Sequence, residues 1–213
     1  MHILYGSQGS GSSIAEAALE RCGVDFRVVR ASQWEPDSAI DELRRVNPLG
    51  QIPTLVLPDG SVLTESAAIL IHLGLAHPDS GLLPAAPARR AQVLRGLVFI
   101  AANCYSAITQ SDYPERFTTD TTEAAREAVR QAARAQLHRH WEIFADTFGA
   151  LAGEQGFLGG DNRPGALDLM AAVVSRWSGT RAHLAQHRPG FLAVLQRIEA
   201  DPGFAPVFAR HWP

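Results

Sequence analysis

Side-chain hydroxyls are concentrated near the N-terminus, where Ser10, Ser12 and Ser13 are interspersed with glycines. The segment directly precedes residues with helical apolar spacing, so its hydroxyls would lie at a helix N-terminus, a position that favours anions. Tyr5 supplies a further hydroxyl at the end of a predicted strand. Glycine and serine also make ordinary turns and helix caps, and that reading stays open for this segment.

A second polar pair, Glu65–Ser66, opens an apolar helix that is predicted to run to about Ala76. Free N–H groups and the helix dipole favour a carboxylate near Ser66, and the Glu65 side chain can pair with an ammonium group. For the pair taken alone, a plain N-cap is the alternative.

These residues lie on or beside short predicted strands and helices, which alternate over the first 76 residues. The patterns predict strands at 2–5 and 26–30, helices from Ile14 to Cys22 and at 39–46, and a hairpin of 54–57 with 61–63. A βαβ unit requires parallel strands, whereas a hairpin is antiparallel. We therefore expect a four-stranded mixed sheet with helices packed on it.

The rest of the chain is predicted to be almost entirely helical. Residues 78–87 are rich in Pro, Ala and Gly and are interpreted as a linker, which divides the chain into 1–77, 78–87 and 88–213. Long helices are predicted from about Ala88 to about Gln110 and from near Thr122, and the last clear amphipathic helix covers 191–199.

Composition excludes several kinds of chemistry. All 19 basic residues are Arg, so a Lys Schiff base and a P-loop Lys are impossible. Cys22 and Cys104 are interpreted as buried hydrophobes, and His138 and His140 point apart on a helix, so no metal site is expected. A net charge of -3 without a basic run argues against nucleic acid. Neither a signal peptide nor a membrane-spanning stretch is recognised, which makes the cytoplasm the expected location.

The segment Asn47-Pro48-Leu49-Gly50-Gln51-Ile52-Pro53-Thr54-Leu55, followed beyond the hairpin by Glu65-Ser66-Ala67-Ala68-Ile69-Leu70, resembles the N-terminal domain of glutathione transferases. The resemblance implies an α/β thioredoxin-like N-terminal domain and an all-α helical bundle that binds substrate and forms a homodimer. It also implies a cis peptide bond before Pro53, and glutathione as co-substrate without a metal.

On this resemblance, glutathione is bound by Gln51, Ile52, Pro53, Glu65, Ser66 and Trp34. The backbone of Ile52 would pair with the cysteinyl part as a sheet edge pairs with a peptide. Glu65 and Ser66 would take the γ-glutamyl ammonium and carboxylate, while Gln51 and Trp34 would lie near the glycyl end.

The resemblance further implies that a hydroxyl or a Cys near the start of the first helix lowers the pKa of the glutathione thiol. The turn contains no Cys, which excludes a Cys-type site there. Counting back from the helix end makes Ser12 the first choice, Ser10 the second and Tyr5 the third.

The resemblance implies that the electrophile contacts the first long helix of the second half, at Tyr105 with Asn103 and Ser106 nearby. Tyr105 suits a half-buried core position equally well. The resemblance also implies a capping box that is important for folding, with Gly165 at the cap position and Asp168 three residues on, so Asp168 is assigned to folding.

The expected function is conjugation of glutathione to a hydrophobic electrophile, as in detoxification. The alternatives are a glutathione-transferase-like binding or regulatory protein without catalysis, and a glutathione-dependent peroxidase or disulfide reductase.

Overall fold

The computed structural model describes residues 1–153, 156–159 and 163–213. Its N-terminal part is built on a four-stranded sheet in the order β2-β1-β3-β4. The strands are β1 (His2–Gly6), β2 (Phe26–Arg30), β3 (Thr54–Val56) and β4 (Val62–Thr64). β1 and β2 are parallel, whereas β1–β3 and β3–β4 are antiparallel. The predicted mixed sheet is confirmed.

The two faces of the sheet bury different residues. Leu4 pairs with Leu55 across β1 and β3, and both are fully buried in the main core. Tyr5, next along β1, belongs to a smaller cluster with Ala31 and Leu43 on the other face. This alternation follows from the two-residue period of a strand.

Three helices accompany the sheet, namely α1 (Ser12–Cys22), α2 (Ile40–Val46) and α3 (Ser66–Ala76). Helix α1 ends where predicted because Gly23 adopts a left-handed conformation, with φ 64°. Helices α1 and α3 pack against each other and against a central helix of the second half, α7 (Ala166–Val174).

The second half is helical, as predicted. Besides α7 it contains α4 (Pro87–Phe99), α5 (Ser106–Asp112), α6 (Glu123–Phe148), α8 (Thr180–His187), α9 (Pro189–Glu199) and α10 (Ala205–His211). All nine residues of α7 are buried. A thioredoxin-like N-terminal domain followed by a mostly helical remainder is thus confirmed.

Helices α4 and α5 are joined by a π-helical segment, Ile100–Tyr105, into one continuous helix. This 26-residue helix, Pro87–Asp112, is long and apolar enough to cross a membrane by length and composition. Buried core helices meet the same criteria, and Val93, Leu97 and Ile100 are fully buried in the main core.

The stretch at 78–87 does more than connect the two halves. Leu82 and Leu83 are buried, and a Cβ on Gly74 of α3 would lie 2.5 Å from the Leu83 side chain. Glycine at position 74 therefore lets this stretch pack directly on α3.

Asp168 is fully buried near the start of α7 and organises the chain around it. Its Oδ1 accepts a hydrogen bond from the N–H of Leu158 (2.6 Å), and its Oδ2 accepts from Gly159 (2.8 Å) and Gly165 (2.9 Å). Burial raises the pKa of Asp168 to about 6, against the lowering effect of these N–H groups. The predicted folding role agrees with this arrangement.

The cap of α7 explains why Gly165 stands where a hydroxyl is common. The N–H of Ala166 donates to the carbonyl of Leu82 (2.8 Å), and a Cβ on Gly165 would lie 2.9 Å from that oxygen. The Leu82 carbonyl thus occupies the space where a side chain would lie, and it accepts the first free N–H of the helix.

Candidate functional site

A cavity of about 690 Å³ opens between the sheet domain and the α4–α5 helix. The glycine-serine turn before α1, the loop after β2, the loop before β3, the start of α3 and the α4–α5 helix all contribute to its walls. Nine of the predicted site residues line it, namely Ser10, Trp34, Gln51, Ile52, Pro53, Glu65, Ser66, Tyr105 and Ser106.

The glycine-serine turn brings Ser10, rather than Ser12, to the cavity. The buried Ser12 Oγ accepts from the N–H of Ser7 (3.1 Å) and contacts the Ser7 carbonyl oxygen (3.1 Å). Ser12 therefore ties the turn to the end of β1. Ser12 is the first choice from the sequence for the contact with the thiol, but its hydroxyl points into the turn and not into the cavity, because the turn packs closely against the end of β1.

The Ser10 hydroxyl has a choice of partners. Its Oγ donates to the Ser7 carbonyl (2.7 Å) and lies 2.9 Å from Ser12 Oγ, and either hydroxyl can donate across that contact. When Ser12 donates to Ser10, the Ser10 proton is free to turn to an anion in the cavity. Gly11, the cap of α1, lines the same wall and adds the helix N-terminus.

Tyr5 is not placed to act in the cavity. Its hydroxyl donates to Glu42 Oε1 of α2 (2.7 Å), on the opposite face of the sheet from the main core. Burial and this carboxylate raise the pKa of Tyr5 to about 12. Alternation along β1 is the reason, since neighbours on a strand face opposite sides.

The loop before β3 contributes Gln51, Ile52 and Pro53, and the Ile52–Pro53 peptide bond is cis, as the resemblance implied. Asn47 holds this loop in place. Its Nδ2 donates to the Gln51 carbonyl (3.0 Å) and to Thr54 Oγ1 (2.9 Å). The loop is therefore set by buried side-chain hydrogen bonds before any ligand arrives.

Glu65 and Ser66 form the third wall, at the start of α3. Ser66 is 7% exposed, and Glu65 is exposed with a backbone φ of 65°. A positive φ is uncommon for a residue with a Cβ, and such strain concentrates at ligand-binding positions. The cavity thereby gains a carboxylate beside a helix N-terminus.

The helical half contributes Tyr105, which is half-buried and packs against Trp177, with 6.0 Å between ring centroids and an angle of 49° between the rings. Its hydroxyl lies near Ser66 and Glu65, and burial raises the pKa of Tyr105, so the hydroxyl keeps its proton. The hydroxyl also approaches Gly11 so closely that a Cβ there would clash with it. Tyr105 thus reaches across the cavity to α1 and α3.

Of the other predicted pocket residues, some line the cavity and one does not. Ser106 lines the cavity, whereas Asn103 turns away, because its Nδ2 donates to the Phe99 carbonyl (3.1 Å) and its own carbonyl contacts His140 Nδ1 (3.1 Å). The π-helical turn at this point shifts which side chains face the cavity. Trp34 lines the cavity and remains 58% exposed.

Several lining residues were not anticipated, among them Gln33, Tyr113, Arg116 and Trp177. Arg116 lies over the Tyr113 ring, 4.0 Å from its centroid. No motif marks these residues. Gln33 is the neighbour of Trp34 in the loop after β2, whereas Tyr113, Arg116 and Trp177 reach the cavity only when the helices pack.

The C-terminus also supports the site. The N–H of Gly9 donates to His211 Nδ1 (3.1 Å), and His211 Nε2 donates to Glu16 Oε2 of α1 (2.9 Å). The Gln8 side chain donates to the Arg210 carbonyl (2.8 Å). Helix α10 therefore holds the glycine-serine turn in place.

Comparison with known proteins is consistent with this geometry. The family model described as glutathione S-transferase, N-terminal domain, matches residues 12–75. The Escherichia coli protein YncG, named as an uncharacterized GST-like protein, is 36% identical over 127 residues, which span 59% of this chain and 62% of YncG. The Zea mays protein named probable glutathione S-transferase BZ2 is 32% identical over 79% of this chain and 70% of its own.

Solved structures agree over nearly the whole length. A Methylobacterium radiotolerans glutathione S-transferase in complex with glutathione sulfonate is 27% identical over 97% of this chain and 94% of its own, with a TM-score of 0.72. A sphingomonad glutathione S-transferase complexed with glutathione is 26% identical over 97% of both chains, with a TM-score of 0.71. By sequence, by fold and by the arrangement of its cavity, the chain belongs to the glutathione S-transferase family.

Proposed function

We propose that this protein is a glutathione transferase that binds glutathione in the cavity, stabilises its thiolate and joins the sulfur to an electrophilic small molecule. The observation that carries the proposal is the meeting of Ser10, Ile52 and the Glu65–Ser66 pair in one cavity beside Tyr105. The related structures that hold glutathione or its sulfonate support the same ligand here.

The polar groups of the cavity fit the parts of the tripeptide. The γ-glutamyl carboxylate would lie at the start of α3, near the Ser66 hydroxyl and the free N–H groups of the first turn. Glu65 would pair with the γ-glutamyl ammonium. The backbone of Ile52 would hold the cysteinyl part, and Gln51 and Trp34 would contact the glycyl end.

This placement directs the thiol toward the start of α1. A hydrogen bond from Ser10 and the dipole of α1 both favour the thiolate over the thiol. The thiolate then attacks the electrophile, so that a carbon–sulfur bond forms as the leaving group departs or a double bond is consumed. Tyr105 would donate a hydrogen bond to charge that develops on the electrophile.

Several broader expectations from the resemblance belong to the same proposal. They are a substrate-binding and dimer-forming helical domain from residue 88 after the 78–87 linker, a cytoplasmic homodimer, and a role in detoxification. The absence of a Cys from the turn disfavours exchange through a protein–glutathione mixed disulfide.

Calorimetric titration with glutathione tests the site. The native protein should bind, and Ser66→Ala should weaken binding at least about tenfold, because a hydrogen bond to a charged group contributes about 1.5–3 kcal/mol. Ser61→Ala, an exposed hairpin serine outside the cavity, is the matched control and should bind as the native protein does. Unchanged binding by Ser66→Ala would contradict the placement.

Turnover with a panel of electrophiles then separates the alternatives. Formation of thioethers supports conjugation, and reduction of peroxides or disulfides without thioether formation supports the reductase. Glutathione binding with no turnover supports a binding protein. A native protein that binds no glutathione overturns the proposal.

A further inference from the structure

Three metal-ligating side chains lie together between helices α6 and α8, away from the cavity. Glu142 is on α6, His183 and His187 are on α8, and one ligand atom from each lies within 4.8 Å of the other two. None of these three residues lines the cavity. The geometry points to a binding site for a divalent transition-metal ion at this helix pair, with Zn²⁺ as the ion that the donors fit best.

The spacing of the histidines is suited to one ion. Residues four apart are neighbours on one face of a helix, and a pair of histidines at this spacing binds zinc on the helices of metalloproteases. Helix α6 packs against α8 and brings Glu142 to the same point. The ligands therefore come from two elements that are already in contact.

The His183 ring is held before any ion binds. It is stacked between His138 (4.4 Å between centroids) and His187 (4.2 Å), and its Nε2 lies 2.7 Å from Glu142 Oε1. His138 directs its Nε2 to the Ser178 carbonyl (3.0 Å), so it supports the cluster instead of binding the ion. An ion would replace the hydrogen bond between Glu142 and His183, and the exposed His187 ring would turn out of the stack so that a nitrogen of each ring faces the ion.

The neighbouring charges allow Glu142 to accept a cation. Its Oε2 lies 3.3 Å from Arg188, but Arg188 also makes two hydrogen bonds to Asp146, of 2.7 and 2.8 Å. Arg188 therefore keeps a carboxylate partner when Glu142 binds the ion. When the ion binds His183 Nε2, the ring proton of His183 would be on Nδ1. His183 Nε2 and Glu142 Oε1 would then separate from 2.7 Å to about 3.3 Å, the distance between two ligands of a tetrahedral zinc ion.

The donor set indicates the class of ion. Two imidazoles and one carboxylate suit Zn²⁺ and its transition-metal neighbours, whereas Ca²⁺ and Mg²⁺ require mostly oxygen ligands. Three protein ligands leave a fourth position for water. The side chains of His183 and Glu142 are 19% and 29% exposed, and His187 is exposed, so an ion reaches the site from solvent.

Titration of the untagged protein with ZnCl₂ by calorimetry, and with CoCl₂ by visible absorption, tests the site. We expect one ion per chain, with the strong visible bands of four-coordinate Co²⁺. His187→Ala removes an exposed ligand without opening the core and should lower the affinity at least about tenfold. Glu142→Gln removes the charged ligand while keeping a hydrogen-bond partner for His183, and should have a similar effect.

His72→Ala is the matched control, because it removes a half-buried histidine on α3, outside the cluster. Its metal affinity should equal that of the native protein. At a hundredfold excess over Kd, Zn²⁺ should raise the melting temperature of the native protein by roughly 5–10 °C and that of His187→Ala far less. Failure of the native protein to bind one ion, or equal affinity in His187→Ala, would overturn the site. Glutathione binding should be the same in the native protein and in His187→Ala.

Discussion

Ser10 and Ser12 show how two residues of one type acquire different roles within a single turn. Both hydroxyls contact the Ser7 carbonyl, but only Ser10 lines the cavity. Ser12 accepts the Ser7 N–H and lies against Gly6, where a Cβ would be 2.5 Å from its Oγ. Ser12 is a positioning residue for the turn, and Ser10 is the candidate donor to sulfur.

Ser10→Ala should raise the pKa of bound glutathione by roughly 1–2 units, because a hydrogen bond to a charged group contributes about 1.5–3 kcal/mol. The ultraviolet absorbance of the thiolate, followed against pH with glutathione at saturation, measures this pKa. Ser12→Ala should lower protein stability, with a smaller change in the thiol pKa. If Ser12→Ala alone shifts the thiol pKa, the assignment of Ser10 is wrong.

At the scale of elements, helix α7 connects the sheet domain to the helical half. It packs on α1, α3, α4 and α9. Its start is fastened by Asp168, which accepts three backbone N–H groups, and by the Leu82 carbonyl.

Gly165→Ser should destabilise the protein by about 1–3 kcal/mol, although Ser is the better cap in general. The reason is the 2.9 Å approach that a Cβ would make to the Leu82 oxygen. Chemical denaturation measures the free energy of unfolding. Gly190→Ser is the control, since a Cβ there meets no atom within 4 Å. A gain in stability from Gly165→Ser would contradict the crowding.

At pH 4, Asp168→Asn should be less stable than the native protein by about 2–4 kcal/mol, because an amide N–H would face a backbone N–H. The difference should depend on pH. The folded-state pKa of Asp168, about 6, lies above the ordinary 3.8, so its stabilising protonation is complete below pH 3.8 and lost as pH rises through 6.

The advantage of the native protein over Asp168→Asn should therefore shrink between pH 4 and pH 7, by on the order of 3 kcal/mol at most. Urea unfolding of both proteins at each pH measures it. If the difference in free energy of unfolding instead grows with pH, the three N–H groups lower the pKa of Asp168 more than burial raises it, and Asp168 is a carboxylate in the folded protein.

At the scale of the whole molecule, the chain closes on itself at the cavity. Arg210 pairs with Glu16 (2.7 Å) and also with Glu20, and His211 joins Glu16 to Gly9. The last helix thus supports the first turn from a sequence distance of about 200 residues.

His211→Ala should weaken glutathione binding several-fold and speed amide exchange at Gly9, because the turn loses its acceptor on that side. Calorimetry and hydrogen exchange measure the two effects. His77→Ala, at the end of α3, serves as the control and should change neither. Normal exchange at Gly9 in His211→Ala would show that α10 does not hold the turn.

Local signals were sufficient for most elements of the first 76 residues. Alternation placed the strands, Gly23 marked the end of α1, and the motifs around Pro53 and Ser66 led to the loop and helix start that line the cavity. These features depend on neighbours in sequence, through backbone conformation and side-chain period.

Contacts between segments that are distant in the chain could not be predicted from local sequence signals. The choice between Ser10 and Ser12 depends on how the turn packs against β1, and the outward turn of Asn103 depends on the π-helical segment. Helix α10, the Leu82 carbonyl at Gly165 and the Glu142–His183–His187 cluster arise only when helices pack, because each joins residues far apart in the chain. The periodicity of apolar residues in the sequence shows which residues share one face of a helix or strand. Which other element packs against that face is decided only by the tertiary structure.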